Sequence, residues 1–214
     1  MRCVVTAGPT FEPLDEVRRL TNFSTGRLGS EMAEFLVSRG HEVTLLRGEQ
    51  STWTQATKAR LVGFTTTMDL REKLKTIGKC EAIFHAAAVS DFAFGNVWQR
   101  TPAGEVIAVK GGKISSRLDN VFAELVPTPK IIAELRGWFP EAFLVGWKFE
   151  VDGDRDHAVE SGRKQMVEWR TNACVVNGPA YGSGFGVLST QLVHCAAQGE
   201  LFDQLAAILP KRER

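Results

Sequence analysis

The 214-residue chain contains one tyrosine, Tyr181, and no lysine four residues beyond it, since position 185 is Phe. The first strand also lacks a GxxxGxG turn. Together these absences count against an NAD(P)-dependent reductase of the short-chain type, which needs both. The four cysteines, Cys3, Cys80, Cys174 and Cys195, lie far apart and form no CxxC pair. That argues against a zinc site and favours a reduced, cytoplasmic setting. Charge of one sign is not in excess: 26 basic residues against 25 acidic give a formal net charge of +1. No global field therefore points to nucleic acid or an anionic membrane, and an anionic ligand must be held by local groups. No apolar run approaches the roughly 20 residues that span a bilayer. Met1-Arg2-Cys3-Val4-Val5 enters a strand directly and does not have the layout of a signal peptide. The histidines, His41, His85, His157 and His194, do not cluster, and no Ser-His-Asp, HExxH or Cys-His arrangement stands out. No metal-ligand set is predicted.

What is present is an ordinary globular composition, 43% hydrophobic and 24% charged. Short, nearly continuous apolar runs at 2–7, 41–47, 60–66, 81–87, 143–149 and 173–177 read as strands buried on both faces. Between them, 27–39, 68–77, 129–138, 155–170 and 200–209 read as helices. The second is opened by Asp69, and the third has Pro129 in its first turn. In the fourth, Ala158, Met166 and Val167 are the expected buried side, and the tail 211–214 is expected to fray. Alternating strands and helices predict a single α/β domain over 1–214. Its expected core is a Rossmann-like, doubly wound, mostly parallel sheet with helices on both faces. Residues 91–128 read as an irregular insertion, and 178–199 as a Gly-rich loop followed by a β-like run. Such insertions after strand C-termini usually build the site.

Five constellations bear chemistry. Gly8-Pro9-Thr10 follows the first strand, where a small residue lets a ligand approach the backbone. Asn22-Phe23-Ser24-Thr25-Gly26-Arg27-Leu28-Gly29 opens the first helix, with Ser24 or Thr25 as the expected cap. Gly26 and Gly29 thin that first turn, where alanine would serve a helix better, so a phosphate can reach bare N–H groups. His85-Ala86-Ala87-Ala88-Val89-Ser90-Asp91 leaves room for a flat base and ends in a carboxylate. Lys110-Gly111-Gly112-Lys113 puts cations on a glycine-flanked loop, although a solvated lysine is the simpler reading. Gly146-Trp147-Lys148-Phe149-Glu150 brings charge to a strand end, where it must be paired or functional.

These runs resemble a family. VTAGPTFEPLDEVRRLTNFSTGRLG is similar to the opening of phosphopantothenoylcysteine synthetase, the second half of the bifunctional coenzyme A biosynthesis flavoprotein. AAAVSD, KIS followed by ELVPTPKIIAEL, VGWKFE, and CVVN with its glycine-rich FG loop resemble that family's later motifs in order. The resemblance covers nearly the whole chain.

It implies a ligase condensing 4′-phosphopantothenate with cysteine through an acyl nucleotidylate. CTP or ATP is consumed with Mg²⁺, and pyrophosphate is released. It implies Asn22 handling the intermediate and Lys113 neutralising triphosphate. Gly8, Ser24 and Gly26 match phosphate or phosphopantothenate contacts. Ala86, Ala87, Ala88 and Asp91 match the base and ribose region. Pro129, Lys130, Ile131, Ile132 and Trp147 match further nucleotide contacts, with Lys148 and Lys164 as accessory cations. A homodimer is implied, as are the absence of flavin and a separate decarboxylase. Two departures stand out: the family's later lysines after Lys113 are Ser115 and Ser116, and its helix lysine pair falls on Gln165 and Trp169, with Lys164 and Arg170 one step away. The choice between CTP and ATP stays open. So does a non-catalytic nucleotide-binding module of the same fold.

Overall fold

The computed structural model describes residues 1–210. In chain order these form β1 (Arg2–Ala7), β2 (Phe11–Pro13), β3 (Arg19–Thr21), α1 (Arg27–Ser38), β4 (Glu42–Gly48), β5 (Arg60–Phe64), α2 (Thr67–Lys75), β6 (Ala82–His85) and β7 (Phe92–Arg100). There follow β8 (Val106–Ala108), β9 (Val121–Pro127), α3 (Ile131–Trp138), β10 (Phe143–Phe149), α4 (Arg155–Trp169), β11 (Ala173–Asn177), β12 (Phe185–Leu188), β13 (Leu192–Cys195) and α5 (Gln198–Ala207).

Eight strands make the main sheet in the order β13-β12-β11-β10-β6-β1-β4-β5. Every pair from β5 to β11 is parallel, and only the β11–β12 and β12–β13 pairs are antiparallel. The chain winds from β1 outward to β5, then crosses to β6 and winds the other way. The reversal leaves a crevice at the C-terminal ends of β1 and β6, where open α/β sheets bind ligands. Alternation along the central strands splits the core. Val5 and Ala7 face Met32, Leu36, Leu201 and Leu205 of α1 and α5. Val4 and Ile83 face Leu70, Leu74, Ile131 and Leu135 of α2 and α3. The doubly wound expectation is met.

Local expectations are corrected in several places. The helix over 68–77 begins at Thr67, with Thr66 as cap accepting from the Asp69 N–H. Asp69 therefore lies in the first turn, where an acidic residue suits the helix dipole. Pro129 lies outside α3, whose cap is Lys130. Val167 is 81% exposed, because the buried side of α4 is Ala158, Gly162 and Gln165. Within 91–128 the insertion at the strand edge is partly β: β7, β8 and β9 pair into an antiparallel sheet, and 101–105 and 109–120 between them are irregular. The 211–214 tail lies outside the described residues. Cys3 and Cys174 are buried as expected, and burial raises their thiols to about 11 and about 12.

Candidate active site

The crevice is closed from one side by the backbone itself. Ala88 N–H donates to the Gly8 carbonyl at 3.0 Å, and Thr10 N–H donates to the Ala88 carbonyl at 3.1 Å. These bonds extend the β1–β6 pairing past the strand ends as an isolated parallel bridge between Pro9 and Ala88. The Asn22 amide Nδ2 donates to the same Ala88 carbonyl at 3.1 Å. Gly8, Asn22 and Ala88, taken from three separate motifs, thus meet at one point. One Asn22 N–H is used there. The second N–H and Oδ1 have no protein partner among the described residues, and Asn22 is exposed.

Beneath this point is a buried polar chain. Thr6 Oγ1 accepts from the Ala87 N–H at 3.1 Å and shares a second hydrogen bond, 2.9 Å long, with His85 Nδ1. Burial pushes the imidazole down from 6.5 to about 4. Unfolded His85 takes up a proton as pH falls through 6.5, while the folded form resists until about pH 4. Stability therefore falls with pH across that window, by about 3 kcal/mol for this one group. Denaturant titrations from pH 7 to 4 should show a shallower fall for His85→Gln than for the wild type; equal slopes would remove His85 from this role.

Asp91 stands at the lip, ion-paired to Lys130. Both partners are more than half exposed, so the pair adds little stability and both remain available to a ligand. The segment after β9 is drawn in by the Thr128 N–H, which donates to the Asp91 carbonyl at 3.0 Å. That sets the start of the Pro129–Lys130 segment against Ser90 and Asp91. Ile131 faces inward as core, and Ile132 abuts Gly146, where an added side chain would collide with it. Trp147 follows, with its indole N–H buried and unpartnered. Lys148 is paired to Glu150 at 3.1 Å. Lys164 is not brought to this edge: it is exposed on α4, nine residues past the end that abuts the crevice side. Gln165 is buried instead and donates to Cys174 Sγ.

The α1 N-terminus corrects the expected cap. Neither Ser24 nor Thr25 caps it: the cap is Gly26, at φ 78°, without a side-chain hydrogen bond. Thr25 Oγ1 accepts only from the Arg27 N–H at 3.2 Å. Gly29 serves packing, since a Cβ there would lie 2.7 Å from the Ala7 Cβ.

Sequence reading missed the anchor of the Lys113 loop. Asp15, at the closed end of the β2–β3 hairpin, has a side chain 1% exposed. Its carboxylate accepts from the N–H groups of Val17 and Arg18 and from that of Ile114, at 3.0, 2.8 and 3.0 Å. Arg18 pairs with it and donates to the Ile114 carbonyl at 2.7 Å, while the Glu16 N–H bonds to the Gly112 carbonyl at 2.9 Å. The Arg18 guanidinium holds the Asp15 carboxyl well below the usual carboxylate range. Lys113, between the two clamped residues, is exposed and has no acidic partner among the described residues. The hairpin's open end carries Asn22. Three strand residues, about 10 Å, separate the two ends.

Among the described residues no group of three His, Cys, Asp or Glu is placed to hold a metal, and no helix is long and apolar enough to cross a membrane.

Residues 1–207 match the family model described as the DNA/pantothenate metabolism flavoprotein C-terminal domain. The chain is 32% identical over 186 residues to the coenzyme A biosynthesis bifunctional protein CoaBC of Thermococcus kodakarensis, covering 85% of this chain and 42% of that protein. It is 30% identical over 185 residues to the Bacillus subtilis CoaBC, covering 86% and 42%. The chain thus spans less than half the length of these curated relatives. The crystal structure of the DNA/pantothenate metabolism flavoprotein from Streptococcus pneumoniae superposes with a TM-score of 0.85 at 27% identity, covering 97% of each chain. A Cab2 mutant in complex with phosphopantothenate-cysteine shares the fold, with a TM-score of 0.67 at 19% identity, covering 96% of this chain and 87% of that one. The chain belongs to the family of DNA/pantothenate metabolism flavoprotein C-terminal domains.

Proposed function

We propose that this domain is a phosphopantothenate–cysteine ligase. The observation that carries the reading is the convergence of Gly8, Asn22 and Ala88 at the switch point, next to the α1 N-terminus. A carboxylate is a poor acyl donor. Attack of its oxygen on the α-phosphorus of CTP or ATP forms an acyl nucleotidylate and expels pyrophosphate. The cysteine amine then adds to the acyl carbon, and collapse of the tetrahedral adduct expels the nucleoside monophosphate. The protein's share is positioning and charge stabilisation. The free Asn22 N–H donates to the acyl oxygen as negative charge develops on it. Lys113, held out by the Asp15 clamp, meets the triphosphate. Ala86, Ala87 and Ala88 face the base, with Asp91 and Lys130 at the ribose. Pro129, Ile132 and Trp147 flank the nucleotide, and Gly8, Ser24 and Gly26 approach a phosphate. Lys148, and Lys164 with it, stand as more distant cations.

Mg²⁺ accompanies the nucleotide. The described residues offer no three-ligand cage, which fits an ion carried on phosphate oxygens and water. When bound, it neutralises phosphate charge. We assign no flavin to this domain and leave decarboxylation to a separate active site. A homodimer is part of the same reading. One face of the β7–β8–β9 sheet exposes Phe92, Ile107, Val121 and Leu125, an apolar surface that a second copy would cover. Light scattering should then give about twice the 23.6 kDa chain mass; a monomer at working concentration contradicts it.

The test is product formation. Phosphopantothenate, cysteine, Mg²⁺ and either CTP or ATP should give phosphopantothenoylcysteine, identified by mass, and one nucleotide should be preferred. A folded protein yielding no product with either nucleotide returns the site to the non-catalytic nucleotide-binding alternative.

A further inference from the structure

The loop after β4 contains a residue to which neither the motifs nor the family resemblance gave a role. Ser51 is only 9% exposed, and its hydroxyl is buried with no hydrogen-bond partner among the described residues. Its backbone is fixed, with the Ser51 N–H on the Gly48 carbonyl at 2.9 Å, and two residues on the Trp53 N–H holds the Thr25 carbonyl at 3.0 Å. The loop therefore wraps the start of α1. The hydroxyl lies in the notch between Gly8 and Gly26, both at positive φ, 80° and 78°. A Cβ on Gly8 would fall 1.9 Å from Ser51 Oγ, and one on Gly26 would fall 2.6 Å from it. Glycine at these positions is thus required twice, by backbone conformation and by the serine that fills the space.

A hydroxyl is a poor choice for a mere filler. Buried polar atoms are nearly always satisfied, and a methyl group would fill the notch without the loss of hydration. The surroundings indicate what satisfies it. The first-turn N–H groups of α1 lack intrahelical partners and carry the positive end of the helix dipole. No acidic residue stands in that turn to compete with an anion.

We propose that Ser51 is a phosphate-binding residue: its O–H donates to a phosphoryl oxygen held by the N–H groups around Gly26, from beneath the Gly8–Gly26 notch. The chemistry is shared by two reactants of the proposed reaction, the phosphate monoester of phosphopantothenate and the triphosphate of the nucleotide. In its turnover arm the inference rests on the ligase reading.

Ser51→Ala tests it. The variant removes one oxygen at nearly constant shape, so its Tm should equal or exceed that of the wild type, because an unpartnered buried hydroxyl has been removed. Binding of inorganic phosphate, followed by broadening of its ³¹P resonance, should weaken by about 10- to 100-fold, the range for one hydrogen bond to a charged group. In turnover, a raised KM for phosphopantothenate alone assigns Ser51 to the monoester; a raised KM for the nucleotide alone assigns it to the triphosphate. Unchanged phosphate binding together with both KM values unchanged overturns the proposal and leaves Ser51 a filler. A wild type that binds phosphate but makes no product would overturn the ligase reading alone, with the ³¹P comparison still deciding the role of Ser51.

Discussion

Replacing Asn22 by Asp is expected to lower kcat about 10²- to 10³-fold, the loss typical of one oxyanion donor, with little change in Tm. The substitution keeps the side chain's size but turns its donor into an acceptor. Asn22 donates to the Ala88 carbonyl at 3.1 Å from an exposed position, so the fold depends on it little. The carboxylate loses that bond and repels both the acyl oxygen and the adjacent phosphate. The second half-reaction, attack of the amine on the acyl carbon, should suffer more than the first. Acyl nucleotidylate should then accumulate in quenched reactions. Wild-type turnover in the variant would remove Asn22 from the chemistry.

The second large effect concerns a residue that touches no reactant. Asp15→Ala removes the acceptor shared by Val17, Arg18 and Ile114, so the loop bearing Lys113 loses its anchor. The KM for the nucleotide is expected to rise about tenfold, with a smaller change in kcat. Lys113→Gln should raise the same KM by a similar factor, as befits the loss of one charged contact to phosphate. If the clamp acts through Lys113, the double variant should be little worse than either single one, because coupled residues are not additive. Independent, multiplying effects would show that Asp15 works by another route. A drop in Tm with the KM for every substrate unchanged would leave it a structural residue only.

Much of the parallel sheet was legible because its strands are buried on both faces. RCVVTA and ACVVN carry continuous apolar runs that period-two alternation would not give. The insertion was not legible. Gly95 and Asn96 shift the register between β7 and β9, and a bulge of this kind breaks the alternation that marks a half-buried strand. Its exposed apolar residues also look like a loop's when no partner is visible. The helix ends were misplaced where two capping groups competed. Thr66 and Asp69 both suit a helix start, and only the hydrogen bond between them decides which is the cap. At α1 the polar residues Ser24 and Thr25 masked a glycine cap.

The site divides in the same way. Gly8, Asn22, Ala88 and Asp91 stood out as candidates because small or polar residues at strand ends are informative wherever they occur. Asp15, Thr6 and Ser51 were not, because their roles lie in partners far along the chain: Ile114, His85, and the Gly8–Gly26 notch. Asp15 and Arg18 are spaced like an ordinary surface pair, and nothing in the spacing points to residue 114. Lys164, a cation matched by motif position, is turned out to solvent by its helix.

The most direct test of the central claim is pyrophosphate release with cysteine left out. Purified protein, mixed with phosphopantothenate, Mg²⁺ and the preferred nucleotide, should release pyrophosphate in a burst approaching one equivalent per active site. The burst should require phosphopantothenate, and adding cysteine should convert it to steady turnover with amide product. Release that ignores phosphopantothenate, or none from a folded protein that binds nucleotide, would contradict activation of the carboxylate at this crevice.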